Sequence, residues 1–478
     1  MILLEGATIV TSEKEAQGSI LIEDGKIADV FYCESEDYNF RIFKAKNAGA
    51  EVEDCNGLHI MAGGIDAHVH FREPGLTHKA DMATESLAAA AGGVTYVMDM
   101  PNTNPATTTA QALKEKLELA KGRTTGKIAF HIGATNSNAE DIVRLIQEGD
   151  ASAGICPDDI AGVKVFMGSS TGNMLVDDNS TLARLFAISG KPVLVHCEDE
   201  QTIKENLEKA VEKYGEEIPF REHENIRSRS ACIKSSIRAL EMAIKHGTRL
   251  VLCHISTKEE MEMVRAAKLN NPAIIAETSC NYLWFCNEDY DRLGSRVKCN
   301  PSVKRPQDRE ALRQGLADGL IDTIGSDHAP HLLSEKENKY GKAPSGLPTI
   351  QQSLPVLLTI ARQEEIPLTR IASVFSEKAS ELYGLKTGKI AKGYAADLVV
   401  FDLNKEFTVR AEDQKGRCGW TRSIFRCIYI CNCNIRCPVL ALVVSAIIGV
   451  LTAFFQITGV ITVTPAFLWV VFGIAVVY

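Results

Sequence analysis

Positive charge is in deficit in this 478-residue chain, where 52 lysines and arginines face 61 acidic residues and leave a formal net charge of −9. That balance argues against nucleic acid as the main partner. A disulfide framework is also lacking. Of 14 cysteines, nine are scattered singly before residue 418 and the other five crowd between 418 and 437, and scattered single cysteines are those of reduced thiols in a cytosolic protein. The N-terminus, MILLEGATIV, has no basic region and carries Glu5 inside its short apolar run, so it does not read as a secretory signal. Charge of either sign is missing altogether from Cys437 to Tyr478. Ahead of that tail the composition, 45% hydrophobic and 24% charged over the whole chain, is that of a soluble, cytoplasmic enzyme with one large domain plus appendages.

The apolar patterning divides the chain. Residues 1–57 carry short alternating stretches such as GSILIEDGKIADVFY, broken by the polar run CESEDYNF, and predict strands of a small β-domain. From 58 to 380, β-branched apolar runs alternate with helical patterns: VTYVMDM, IAFHIGA, AGVKVFM, KPVLVHC, RLVLCHI, AIIAETS and IDTIGSD are separated by stretches such as TTAQALKEKLELAKG and SACIKSSIRALEMAIKHG. Repeated strand and helix units over such a length predict an α/β fold with parallel strands and crossover helices, foremost a closed (β/α)8 TIM barrel. Residues 381–420 return to short strands and turns, so both ends of the chain are expected to pair into one small β-sandwich beside the barrel.

The organising stretch is MAGGIDAHVHFREPG, residues 61–75. Strand side chains alternate faces, so His68 and His70 point the same way and can share a metal. In a barrel the reactive side chains gather at the C-terminal ends of strands. His68 and His70 end the first strand, Lys164 lies late in AGVKVFM, His196 ends KPVLVHC, His254 ends RLVLCHI and Asp327 ends IDTIGSD. Taken singly, each has an ordinary reading: a strand-end histidine is usually a hydrogen-bonded residue, Asp327 can start a turn, and Lys164 can pair with a carboxylate. Together they are costly to bury without a shared partner. Four histidines, an aspartate and a lysine exceed what one zinc takes. An ammonium cannot ligate a cation, but a lysine amine freed by burial near metal can react with carbon dioxide to give a bridging carbamate. Two Zn2+ per chain, bridged by hydroxide and N6-carboxylated Lys164, would use every group, with the bridging hydroxide as nucleophile.

The segments GGIDAHVHFREPGLTHKADMATES, AAAGGVTYVMDMPNTNPATT, GVKVFMGSSTGNMLV, VHCEDE, LCHIST, CNPSVK and IGSDHAPH resemble the dihydroorotases of the amidohydrolase superfamily, from residue 1 to about 420. The resemblance implies a barrel flanked by a small β-domain, a binuclear zinc centre, and reversible cyclisation of N-carbamoyl-L-aspartate to L-dihydroorotate in pyrimidine biosynthesis. Carried over by motif, His68 and His70 bind one metal, His196 and His254 the other, Lys164 bridges as carbamate, and Asp327 is both ligand and proton carrier. Arg72, Asn102 and His331 are implied to hold the substrate carboxylate, and Asn300, Ser345 and Gly346 to contact the ring. Within enzymes the alternatives are an allantoinase or a dihydropyrimidinase, whose rings lack that carboxylate; outside them, a non-catalytic assembly partner, which would need no metal ligands. A homo-oligomer stays open. Two segments are candidate lids over the site, GSSTGNMLVDDN and HLLSEKENKYGKAPSG.

Beyond KGRCGW the chain departs from the resemblance. Residues 421–478 are Cys-rich and then apolar. An uncharged stretch of 42 residues, 437–478, exceeds the roughly 20 needed to span a bilayer as a helix. Membrane contact or anchoring through 437–478, a frameshift or fusion product, and an alternative ending to the β-domain are the three readings. The spacing of Cys427, Cys431, Cys433 and Cys437 matches no zinc knuckle. Loss of the usual closing strands is expected to expose a sheet edge.

Overall fold

The computed structural model describes residues 1–168 and 174–420 and, beyond them, two short strands at 428–429 and 434–436. The chain begins in the small domain with β1 (Ile2–Val10), β2 (Glu15–Glu23), β3 (Lys26–Tyr32), β4 (Glu51–Asp54) and β5 (His59–Ala62). Eight barrel strands follow: β6 (Gly64–Val69), β7 (Val94–Asp99), β8 (Lys127–Gly133), β9 (Ile160–Phe166), β10 (Val193–His196), β11 (Leu250–Leu252), β12 (Ile275–Thr278) and β13 (Thr323–Ile324). The last four are β14 (Leu398–Phe401), β15 (Glu406–Phe407), β16 (Ile428–Tyr429) and β17 (Asn434–Arg436).

Strands β6 to β13 lie side by side in chain order, each parallel to the next. The ring closes through the residue pair Val69 and His328, with the His70 backbone N–H donating to the His328 carbonyl at 2.8 Å. The strands are buried on both faces, as continuous apolar runs in a parallel sheet require; every residue of β6 and β10 is buried. At the start of β6 the ring of Phe375 fills the space where a side chain on Gly64 would stand, since a Cβ there would lie 2.4 Å from Phe375 Cζ. Helix starts follow from sequence. Thr257 and Glu260 close a capping box on Lys258–Lys268, and Asp81 caps Met82–Ala91 by accepting from the Thr84 N–H.

Both ends of the chain do meet in one sheet, whose seven strands run β17, β14, β5, β1, β2, β3 with β4 also on β1. Three expectations change in detail. Strand β5 pairs with β1 and β14, so the sheet takes in residues placed at the beginning of the barrel. A helix, Tyr38–Asn47, starts within CESEDYNF and buries Ile42 and Ala45 while Phe40 and Phe43 stay exposed. Its apolar residues occur on both sides, which hid the helical period. Finally, the edge of β14 is not left open: β17 pairs with it antiparallel, Leu398 opposite Arg436, so a segment assigned to the tail closes the sheet. Among the described residues no helix is long and apolar enough to cross a membrane. The apolar stretch 437–478 and the four clustered cysteines lie outside the described residues.

Candidate metal centre

The six groups singled out at strand ends converge on one cavity at the C-terminal mouth of the barrel. His68 sits in β6 and His70 just after it; Lys164 is in β9, His196 closes β10, His254 lies two residues past β11 and Asp327 three past β13. All six line the same cavity, joined by Arg72, Asn102, Asn300, Ser345 and Gly346. Of the expected site residues only His331 stands behind the wall, in contact with Arg72.

Asp327 Oδ1 lies 3.1 Å from His70 Nε2 and 3.5 Å from His68 Nε2. The far nitrogens of these rings are fixed by second partners: His68 Nδ1 donates to Glu277 Oε1 at 2.7 Å and His70 Nδ1 to Asn102 Oδ1 at 2.7 Å. Each ring therefore presents its Nε2 lone pair to Asp327, the tautomer that a metal-ligating histidine needs. Gly325 makes room for this arrangement, because a Cβ there would stand 2.7 Å from His68 Cβ and from the Glu277 carboxyl carbon. Across the cavity, His196 Nδ1 faces His254 Nε2 at 2.9 Å, and His196 Nε2 lies 3.1 Å from Glu198 Oε2, itself paired with Arg227.

Burial disfavours charge on the imidazoles and holds His68, His196 and His254 below the usual histidine range, with Lys164 adding to the effect. Burial pushes the Asp327 carboxyl the other way, but His70 beside it and the neighbouring rings outweigh it and keep the group ionised. Burial raises Glu277 to about 7. Three of the five non-glycine residues with positive φ in the described chain are here: Arg72 at 67°, His254 at 40° and Asp327 at 48°. Such conformations cost on the order of 1 kcal/mol each and persist where the surroundings over-determine them.

The donor set fits a cation. His196 and His254 bring two ring nitrogens within 2.9 Å of each other, His254 Nδ1 is buried with no hydrogen-bond partner among the described residues, and His68, His70 and Asp327 bring three ligand atoms within 4.8 Å of one another. Lys164 fits the same picture. It is fully buried, its Nζ has the Cys253 thiol at 3.4 Å and the Phe166 ring at 5.2 Å beside it, and among the described residues no carboxylate is in salt-bridge contact, Glu277 acting on it from further away.

On the substrate side, Lys79 Nζ stands 3.1 Å from His331 Nδ1 and the Ser345 carbonyl 3.0 Å from His331 Nε2. Lysine and arginine can only donate, and each ring nitrogen faces one: Lys79 at Nδ1 and Arg72 Nη2 3.0 Å from Nε2, which has the Ser345 carbonyl beside it as well, so the ring is kept neutral. Burial, then Arg72 and Lys79, hold His331 in that neutral form. Arg72 donates through Nε to the Pro330 carbonyl at 3.1 Å and is buried without an acidic partner among the described residues, so its fork is available to an anion in the cavity. Asn300 Oδ1 is buried without a hydrogen-bond partner among the described residues. Gly346, at φ 138°, must be glycine: a Cβ would lie 2.4 Å from the Ala329 carbonyl oxygen.

A model of the amidohydrolase family matches residues 59–436. This chain belongs to the amidohydrolase family. A dihydroorotase of Methanosarcina mazei is 33% identical to this amidohydrolase over 414 residues, 84% of this chain and 85% of the relative. A dihydroorotase of Bacillus caldolyticus is 34% identical over 421 residues, covering 84% and 90%. Among solved structures, an L-hydantoinase (dihydropyrimidinase) from Arthrobacter aurescens superposes with a TM-score of 0.81 at 26% identity, covering 91% of this chain and 94% of that one. The family match runs past residue 420 and takes in β17. Membership makes this amidohydrolase a metal-dependent enzyme, in keeping with the donor set.

Sequence reasoning missed two groups of site residues. Glu277 carries the same signal as the histidines, a carboxylate at the end of an apolar strand. Phe166 lies two residues after Lys164 on the same strand face, and with Ala329 it supplies the apolar lining.

Proposed function

We propose that this amidohydrolase is a cytosolic dihydroorotase, interconverting N-carbamoyl-L-aspartate and L-dihydroorotate. What carries this reading is the buried Arg72 fork, unmatched by any carboxylate of the described chain, standing on the same cavity as the histidine, lysine and aspartate cluster. A neutral ring would leave that guanidinium unpaired; dihydroorotate brings the carboxylate it lacks. The names of the relatives support the same substrate, and the ten described cysteines, all free, suit the cytosol.

His68 and His70 would hold one zinc, His196 and His254 the second, with Asp327 as a further ligand and Lys164, carboxylated on Nζ, between them. Zinc bound there supplies a water acidified to a pKa of about 7 and polarises the ring carbonyl. The rest is work of the chain. Carboxylation turns a buried cation with no carboxylate in contact among the described residues into an anion among neutral imidazoles, which removes the cost of burying a lysine charge there. Asp327, ionised and held by His70, takes the proton of the attacking water on its carboxylate and delivers it to the ring nitrogen as the ring C–N bond breaks. Ring closure runs the same transfers backwards. Arg72 and Asn102 receive the substrate carboxylate, with His331 holding the wall behind them through Ser345. Asn300 Oδ1 accepts a ring N–H, and Ser345 and Gly346 contact the ring through their backbone. Phe166 and Ala329 exclude water from the face they cover.

The likeness to hydantoinases keeps a second reading in view, a dihydropyrimidinase-type enzyme acting on neutral rings. The deciding experiment is a spectrophotometric assay of dihydroorotate and carbamoyl-aspartate interconversion on zinc-loaded protein with bicarbonate, beside hydantoin and allantoin. Turnover of dihydroorotate with Lys164→Ala reduced at least a thousandfold is expected. Preference for the neutral rings moves the assignment to the second reading, and full activity of the lysine variant removes the carbamate.

A further inference from the structure

Two buried lysines beside the cavity have no part in the chemistry above. Lys336, at the end of the short helix Leu333–Lys336, is fully buried, and its Nζ donates to the carbonyls of Pro344 at 2.9 Å, Gly346 at 3.0 Å and Lys298 at 3.1 Å. Lys298 Nζ donates to the carbonyls of Ala343 at 2.6 Å and Tyr340 at 2.7 Å. Every hydrogen bond the two ammonium groups make among the described residues goes to a backbone carbonyl. Five carbonyl dipoles soften the burial of two positive charges but do not neutralise them.

The atoms they hold are those of the cavity wall. Pro344 and Gly346 flank Ser345, the Gly346 N–H donates back to the Lys298 carbonyl at 2.9 Å, and Asn300 lies two residues beyond Lys298. The segment 331–346, a candidate lid in the sequence, is thus pinned at both ends of its loop and serves as a wall. Around Lys336 Nζ stand Lys298 and Cys299 from the facing segment, Arg72 from the loop after β6, Glu335 from its own helix and the Trp420 ring at 5.8 Å. With Arg72, three basic side chains share this side of the cavity, and among the described residues none of them has a carboxylate in contact. Burial, with cationic neighbours, brings Lys336 down to about 7 and Lys298 to about 8, so an anion bound beside them would favour their charged forms.

We propose that Lys336 and Lys298 are positioning residues that set specificity for an anionic ring: they fix the Asn300, Ser345 and Gly346 wall and give it a positive potential that a substrate carboxylate completes. The proposal rests on the dihydroorotase reading for its substrate. A lysine that only holds a loop would, once lost, damage all substrates alike. A lysine that also supplies potential is missed most by the charged one.

The test is steady-state kinetics of zinc-loaded wild type and Lys336→Met on dihydroorotate and on a neutral ring, dihydrouracil, with the Kd of orotate measured by calorimetry on both proteins. Expected are a KM for dihydroorotate raised at least tenfold with kcat changed less than threefold, a loss in kcat/KM at least fivefold larger for the anionic ring than for the neutral one, and orotate weakened by a similar factor. Equal losses on both rings, or an unchanged KM and orotate Kd, overturn the proposal. Should Lys336→Met not fold, Lys298→Met carries the same comparison with a smaller expected rise in KM, about threefold. If wild type fails to turn over dihydroorotate yet binds orotate, the function falls, and the ratio of orotate affinities still decides the role of the lysines.

Discussion

Arg72→Met separates binding of the substrate carboxylate from everything else the site does. In the free protein Arg72 is 4% exposed, and burial lowers its pKa from the ordinary arginine value, so the fold holds a guanidinium that, among the described residues, meets the Pro330 carbonyl and the His331 ring and no carboxylate. Removing one member of a buried, hydrogen-bonded charge pair costs about 2–5 kcal/mol in binding. Taking about 3–4 kcal/mol for a fork meeting a carboxylate, at 1.36 kcal/mol per decade, the loss in kcat/KM for dihydroorotate is roughly 10² to 10³. A neutral ring forms no such pair and should lose less than about fivefold. The fold responds in the opposite sense, because an apolar side chain in place of an unpaired buried charge is neutral or stabilising. The residue at φ 67° carries the same backbone strain as methionine or arginine, so strain does not blur the comparison. Kinetics on the two rings and a thermal melt together make the assay. A variant that loses both activities equally, or that unfolds several degrees earlier, would show that Arg72 is an architectural residue and would refute the carboxylate reading.

Removing metal with a chelator should abolish activity, and zinc should restore it with two equivalents bound per chain by mass spectrometry; one equivalent, or activity in the stripped protein, contradicts the two-zinc centre. Away from the site, Asp308 accepts from Arg229 at 2.6 and 2.7 Å and from the Lys258 and Arg305 backbone N–H groups at 3.0 and 3.1 Å, joining the starts of three helices. Asp308→Asn should cost about 3 kcal/mol, discounted to the lower end because Arg229 is partly exposed. With about 2.1 cal/mol/K of unfolding entropy per residue over about 400 residues, this lowers Tm by about 3–4 °C. Burial works against ionisation of Asp308, but Arg229 outweighs it and holds the pKa below the carboxylate norm. A depressed folded-state pKa means that the stabilisation is present above the unfolded value of about 3.9 and is lost as pH falls through the folded one. The variant should therefore melt with a shallower acid limb, and an acid limb as steep as the wild type's would exclude Asp308 as its source.

The barrel was legible because its signals are periodic and redundant. Seven apolar runs each ended near a polar group, and the groups that mattered sat where parallel strands deliver them. What escaped was set by packing at a distance. The helix Tyr38–Asn47 buries only Ile42 and Ala45, too few to impose a period. Strand β13 pairs only at Thr323 and Ile324 because the following residues leave the ladder to carry Asp327 inward. Strand β17 lies in a segment whose composition suggested a foreign tail, yet backbone pairing with β14 makes no demand on composition. His331, expected to hold the substrate carboxylate, meets Arg72 and Ser345 behind the cavity wall.

The same contrast separates the centre from its wall. Histidine, aspartate and lysine at strand ends stand out in sequence because buried polar groups there are unusual. Lys298 and Lys336 sit in the segments RVKCN and SEKENKYGK, where lysine is ordinary, and only the fold reveals that both are buried. Once they are placed, the charge distribution becomes coherent. Around the imidazoles the chain has gathered Asp327, Glu198 and Glu277, and along the wall it has gathered Arg72, Lys298 and Lys336. The first side is completed by cations and the second by an anion. A reaction that brings metal ions and an acidic ring to one cavity satisfies both at once, whereas a neutral substrate would leave the cost of the wall uncompensated.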